Sequence, residues 1–128
     1  MSLLLDTHTL FWWVTDNSNL SEKASLAIAD SSQQCFVSAA TVYEMANKLR
    51  LGRFEAAREI IERLDEILAD NNFSPLAVSL QHAAVAGTLV SRHRDPFDRM
   101  LAAQAIINGL QLVSADPAMK LLGVEVVW

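Results

Sequence analysis

At 128 residues, 52% apolar and 20% charged, the chain has the size and composition of one soluble globular domain, predicted to span residues 1–128. A formal charge of −5 argues at first sight against a nucleic-acid partner, and the apolar run Leu3–Leu5 closes at Asp6, too short for a signal peptide or a membrane span. These features predict a cytoplasmic protein with no membrane partner.

Along the chain, residues 2–6 read as a short buried strand with Asp6 at its C-terminal end, and Thr7–Thr15 as a helix. Trp12 and Trp13 are neighbours on that helix and point about 100° apart, so one is assigned to the core and the other to a surface that meets a partner. Ser21 and Glu22 open a second helix to about Ser31. Cys35–Ser38 is the second strand, and its lone cysteine, beside Phe36 and Val37, is expected to be a buried thiol. Ala39–Leu51 carries Val42, Met45, Ala46 and Leu49 at helical spacing and stops at Gly52.

A further helix is predicted over 55–69, with Ile60, Ile61, Leu64, Ile67 and Leu68 inward and Glu55, Glu59, Glu62 and Glu66 on a solvated face. Phe73–Leu76 is a short strand, placed at an edge because Pro75 lacks a donor. Ser79–Ser91 is a helix of small and apolar residues, with His82 expected on its surface. The stretch RHRDPFDRMLAAQAII, residues 92–107, comes next. Asp95 then Pro96 is a helix start, Asp98 falls in the first turn, and Asn108–Gly109 is the stop. Leu110–Ser114 is a fourth strand leading to Asp116, 117–121 a helical turn, and Val124–Trp128 a last strand. Alternating strands and helices imply an α/β domain: three layers, α/β/α, around a mostly parallel sheet of four to five strands.

In such a sheet the strand C-termini share one edge, and ligands bind just outside it. Asp6 and Asp116 follow strands directly, Glu44 lies about one and a half turns into the helix after the second strand, and the helix bearing Asp98 starts at the same edge. Each acid has an ordinary explanation. Asp6 and Asp116 can cap the helical turns after them, Asp98 can answer the helix dipole, and Glu44 can pair with Lys48. Together, four like charges on one rim repel unless a hard cation with oxygen ligands, Mg²⁺ or Mn²⁺, lies among them. Setting those four aside leaves eleven acids against ten basic residues, so the acidic balance does not exclude a phosphate substrate. Arg92, Arg94 and Arg99 surround the Asp98 helix start as candidate phosphate contacts, or as plain charge balance. His8 and His93 flank the rim.

LLLDTHTLFWW, SAATVYEMANKLRLG, HRDPFDRMLAAQA and LVSAD, in this order and spacing, resemble the PIN domain, and within it the VapC-type toxins of bacterial toxin–antitoxin pairs. The resemblance covers essentially the whole chain. It implies an acidic quartet of Asp6, Glu44, Asp98 and Asp116 that is both catalytic and metal-binding, with Mg²⁺ (or Mn²⁺) as cofactor. Ser114 stands where that family often has a threonine or serine just before the last acid; with Arg94, Arg99 and Thr7 it makes up the candidate substrate contacts, and Asp95 is taken as a helix cap. The activity implied is hydrolysis of RNA phosphodiesters by a metal-dependent endoribonuclease, usually a homodimer held inactive by a small antitoxin. Three other readings stay open from the residues. A receiver-type phosphoacceptor also gathers acids at a sheet edge, but Lys120 lies beyond Asp116 rather than at a strand end. A non-catalytic acidic module could dock a basic peptide. A nuclease of the same superfamily could act on DNA or structured substrates.

Overall fold

The computed structural model describes residues 2–128. Its centre is β1 (Leu3–Leu5), three leucines with almost no exposed surface. β2 (Cys35–Ser38) and β4 (Gln111–Val113) flank it, β3 (Phe73–Leu76) lies outside β2, and β5 (Val126–Val127) lies outside β4. Every pairing is parallel, so all five C-termini face one edge. Pro75 sits in the outer strand β3, where a missing donor is tolerated.

Alternation along β1 divides the core in two. Leu3 and Leu5 join Val37, Val113, Phe73 and the helix residues Met45, Ile60 and Ile67 on one face. Leu4 joins Leu112, Leu101, Ala102, Ala105 and Met119 on the other. Helices thus cover both faces of the sheet, in the three-layer arrangement expected of a parallel sheet. Burial of each such leucine contributes roughly 1.5–3 kcal/mol.

The helices are α1 (Thr7–Val14), α2 (Glu22–Ala29), α3 (Ala39–Arg50), α4 (Arg58–Glu62), α5 (Leu64–Asp70), α6 (Leu80–Thr88) and α7 (Pro96–Asn108). Single 3₁₀ segments cover Glu55–Ala57 and Pro117–Leu122. Side-chain oxygens of Asp6, Ser21, Ser38, Ser79 and Asp95 accept the first free amides of α1, α2, α3, α6 and α7. Gly109, at φ +65°, closes α7 in a left-handed conformation that a side chain would strain.

The helix predicted over 55–69 is in fact three pieces. Arg63 leaves the helical region at φ −116°, ψ 27°, although its amide still reaches Glu59 and its carbonyl still receives the Ile67 amide. Its guanidinium grips Glu59 on one side of the bend and Glu66 on the other. The acidic row is exposed, as expected, and arginines partner much of it. α6 ends at Thr88, three residues short of expectation, and the Leu89 carbonyl just beyond it is taken by Arg99. His82 is buried rather than on the surface. Its Nδ1 accepts the Ser79 amide at 3.0 Å, while Nε2 meets Asn108 Oδ1 at 2.7 Å. Among the described residues no helix is long and apolar enough to cross a membrane.

Candidate active site

The strand order reverses at β1. The chain builds outward through β2 and β3 on one side, then crosses to β4 and β5 on the other. A crevice forms outside the strand ends at such a reversal, because successive connections depart to opposite sides. Asp6 leaves β1 at this point, and its backbone amide donates to Val113 of β4 at 3.2 Å.

Asp6 is buried, and Oδ1 caps α1 by accepting the Thr9 amide at 2.9 Å. Oδ2 has no hydrogen-bond partner among the described residues, so capping occupies half of the carboxylate. Next to it, the Thr7 hydroxyl donates to Glu44 Oε1 at 2.6 Å. Glu44 is buried on α3, and its other oxygen accepts from Lys48 Nζ at 2.7 Å. The ordinary i,i+4 pairing with Lys48 is therefore real, and it coexists with the link to the Asp6 strand end.

Asp98 sits in the first turn of α7 with its side chain 22% exposed, and His93 Nε2 lies 2.8 Å from its Oδ2. Burial pushes its carboxyl up to about 6, against the opposing pull of the His93 hydrogen bond. The carboxylates of Asp95 and Glu44 push the same way as burial, so Glu44 is close enough for its charge to be felt. Asp116 is exposed beyond β4. It caps the 3₁₀ segment through the Ala118 amide at 2.9 Å, and its own amide donates to Ser114 Oγ at 3.1 Å.

Three of these groups come together closely. His93, Asp98 and Asp116 each offer a ligand atom, all within 4.8 Å of one another. Oxygen ligands on opposite sides of Mg²⁺ lie about 4 Å apart, from metal–oxygen distances of about 2.0–2.1 Å. The two carboxylates are the oxygen donors that suit a hard divalent ion, while the imidazole, already paired with Asp98 through Nε2, serves as that carboxylate's partner. Asp6 and Glu44 stand outside this trio. Glu44 adjoins it electrostatically, and Asp6 connects to it through Thr7 and Glu44.

The other predicted contacts divide. Arg99 donates to the carbonyls of Ala86 at 2.9 Å, Leu89 at 2.6 Å and His93 at 2.9 Å, so it straps the loop ahead of α7 instead of facing outward for phosphate. Arg94 is exposed. Ser114 is buried and shapes the Asp116 turn, while Thr7 is engaged by Glu44. His8 belongs to an aromatic stack with Trp12 and Phe54, at 5.6 and 6.4 Å between centroids. Trp13 packs into the core with its Nε1 donating to Asn71 at 2.9 Å, and Trp12 leans on Trp128. A groove of about 710 Å³ beside both tryptophans, floored by Leu20 and Leu26, shares no lining residue with the carboxylates. The imidazole of His93, which orients Asp98, is the one member of the close trio that residue spacing does not assign to the acidic site.

The chain is 29% identical over 120 residues to Ribonuclease VapC22 of Mycobacterium tuberculosis (strain ATCC 25618 / H37Rv), covering 93% of this chain and 90% of that protein. In fold it is similar to a chain of VapBC2 from Rickettsia felis, bound to a DNA fragment from its promoter, with TM-score 0.69, 13% identity and 98% and 97% of the two chains covered. FitAcB from Neisseria gonorrhoeae aligns with TM-score 0.62 and 24% identity over 97% of this chain and 95% of its own. A toxin–antitoxin complex from Klebsiella pneumoniae aligns with TM-score 0.57 and 17% identity over 89% and 86%. The sequence matches the PIN domain over residues 3–124, a span that holds four of the five strands and all four acids, and the chain belongs to the PIN domain family.

Proposed function

We propose that this chain is an endoribonuclease that uses Mg²⁺ or Mn²⁺ to hydrolyse RNA phosphodiesters at the rim formed by Asp6, Glu44, Asp98 and Asp116. The observation that carries this reading is the setting of Asp98. A half-buried carboxyl raised to about 6, sharing a 4.8 Å cluster with Asp116 and His93, is a poor solution for stability and a good one for cation binding. The similarity to a protein named as a ribonuclease, in a chain of matching length, supports the same conclusion.

A divalent ion bound there supplies Lewis acidity, acidifying a water and offsetting charge on the phosphoryl oxygens. The chain's own residues then have distinct tasks. His93 holds Asp98 in one orientation, and Ser114 with the Ala118 amide holds Asp116. Glu44, pinned by Thr7 and Lys48, adds a second fixed negative charge and orients solvent from the outer layer. Asp6 presents Oδ2. Exposed Arg94 is the phosphate contact that the geometry favours over Arg99. No protein nucleophile is called on, and Cys35, buried with its thiol pushed up to about 11, is unsuited to be one.

The same reading makes the chain the toxin of a type II toxin–antitoxin pair, acting in the cytoplasm as a homodimer and silenced by a small antitoxin. Its fold likeness to chains from complexes of that kind supports the partner. One gel tests the activity: wild type and Asp98→Asn on total RNA with Mg²⁺, Mn²⁺ or EDTA. Wild type should cut only with metal, and the variant should lose more in rate than the roughly ten- to hundredfold that removing an outer-shell partner costs. Cleavage that persists in excess EDTA overturns the reading.

A further inference from the structure

Two aromatic rings stand beside the acids, and neither is part of the two hydrophobic clusters. Tyr43 precedes Glu44 on α3, and Phe97 precedes Asp98 on α7. The rings meet edge to face, with centroids 5.7 Å apart and planes at 68°. Tyr43 nevertheless remains 65% exposed, so the contact leaves most of its surface to solvent.

The register is informative. Neighbouring residues on a helix have Cα atoms about 3.8 Å apart and side chains that diverge by about 100°. A ring one position ahead of a carboxylate therefore flanks the carboxylate pocket without filling it. The two helices bring Glu44 near Asp98, and by the same packing they bring Tyr43 onto Phe97. A platform is thus built from the two elements that build the acidic rim.

We propose that Tyr43, backed by Phe97, is a stacking surface for a nucleobase of single-stranded RNA beside the scissile phosphate; this rests on the ribonuclease reading above. A phosphodiester held at the acids carries a base on each side within the reach of one nucleotide, and unpaired bases are recognised by stacking on exposed aromatic rings. Arg92 and Arg94 lie on the loop leading into α7, where they answer the charge of flanking phosphates. Tyr43 is already braced by Phe97, so little side-chain freedom is lost when a base lands on it.

The test uses a transcript carrying a cut site mapped with the wild-type protein, and a copy lacking the base next to that cut. Tyr43→Leu should raise KM for the intact transcript by about five- to a hundredfold, the range known for base–aromatic stacking, and move kcat far less. Tyr43→Phe should recover most of that loss. Removing the base should cost the wild type a similar factor and Tyr43→Leu almost nothing. Unchanged KM in Tyr43→Leu, or equal sensitivity of both proteins to the missing base, overturns stacking and leaves the ribonuclease reading intact. A Tyr43→Leu variant that only converts dimer to monomer in sedimentation assigns the rings to a contact between copies and also overturns the proposal. RNA left whole by the wild type with either metal removes both readings together.

Discussion

His93 meets Asp98 through a 2.8 Å contact from Nε2 to Oδ2, and the loop that delivers this imidazole is held by the next residue of the helix, Arg99. Arg99 Nη1 donates to the carbonyl of His93 itself, while Nε and Nη2 donate to those of Ala86 and Leu89 at the end of α6. One turn of α7 thus carries both the acid and the strap that aims its partner. The arrangement separates two arginines that look alike in the sequence, because Arg99 is consumed by backbone carbonyls and Arg94 is exposed to solvent.

Arg99→Met should therefore act on the fold and the site together. Charge-assisted hydrogen bonds contribute about 1.5–3 kcal/mol each, and the carbonyls left behind can partly regain water. Urea unfolding should show a loss of about 2–4 kcal/mol, with kcat falling as His93 loses its anchor. Arg94→Met should leave the unfolding midpoint in place and weaken RNA binding, most clearly at low salt. Arg99→Met that retains stability and changes only RNA affinity would return Arg99 to the role of a phosphate contact.

Asp98 carries a cost that a substitution can expose. Its folded carboxyl titrates near 6, above the ordinary carboxylate range, because burial and the nearby charges of Asp95 and Glu44 outweigh the His93 hydrogen bond. A group raised in this way contributes its full stability below the unfolded value and loses it as pH climbs through about 6. Each pH unit that separates the folded from the unfolded titration corresponds to about 1.4 kcal/mol. At pH 8 in EDTA the ionised wild type should accordingly be less stable than Asp98→Asn by about 2–3 kcal/mol. The gap should close toward pH 4. Added Mn²⁺ should raise the melting temperature of the wild type far more than that of the variant. Equal melting curves at pH 8 would contradict a burial cost at Asp98 that outweighs its hydrogen bond to His93.

How much the residues revealed depended on how sharply they are punctuated. β2 and β3 lie where their apolar runs put them, and α7 begins and ends at Asp95–Pro96 and Asn108–Gly109, because caps, proline and a left-handed glycine act locally. The bend at Arg63 had no such marker, since neither proline nor glycine lies near it and the helical periodicity runs straight through. The rim itself followed from parallel topology alone, which places strand ends without placing side chains. Hence Asp98 and Asp116 share a site, Asp6 is linked to it through Thr7 and Glu44 and through the backbone of β4, and His93 joins from a loop that periodicity does not describe. Tyr43 and Phe97 did carry a signal, as each adjoins an acid of the quartet.

His82 shows the same limit on another face of α6. Small and apolar residues surround that helix, so no polar stripe marked its outward side, and the imidazole is buried between Ser79 and Asn108. His82→Leu keeps an apolar body but leaves the Ser79 amide and the Asn108 side chain without this partner. The expected cost is about 1–3 kcal/mol by urea unfolding, with metal-dependent cleavage preserved at temperatures below the transition. A neutral result would mean that water replaces both bonds.

Cys35 supplies a check on the packing of the sheet. Its side chain lies in the core on β2, close to the Ile28 carbonyl, and burial lifts the thiol to about 11. Because the folded value exceeds the ordinary one, the stabilising contribution is complete below about pH 8.5 and is lost as pH rises toward 11. At neutral pH an aromatic disulfide reagent should find no thiolate in the native protein and one equivalent after denaturation in guanidinium. Cleavage of RNA should survive overnight exposure to the reagent. Rapid native labelling with loss of cleavage would place the thiol at the surface, contradict the packing of β2 against α2, and reopen the question of a protein nucleophile.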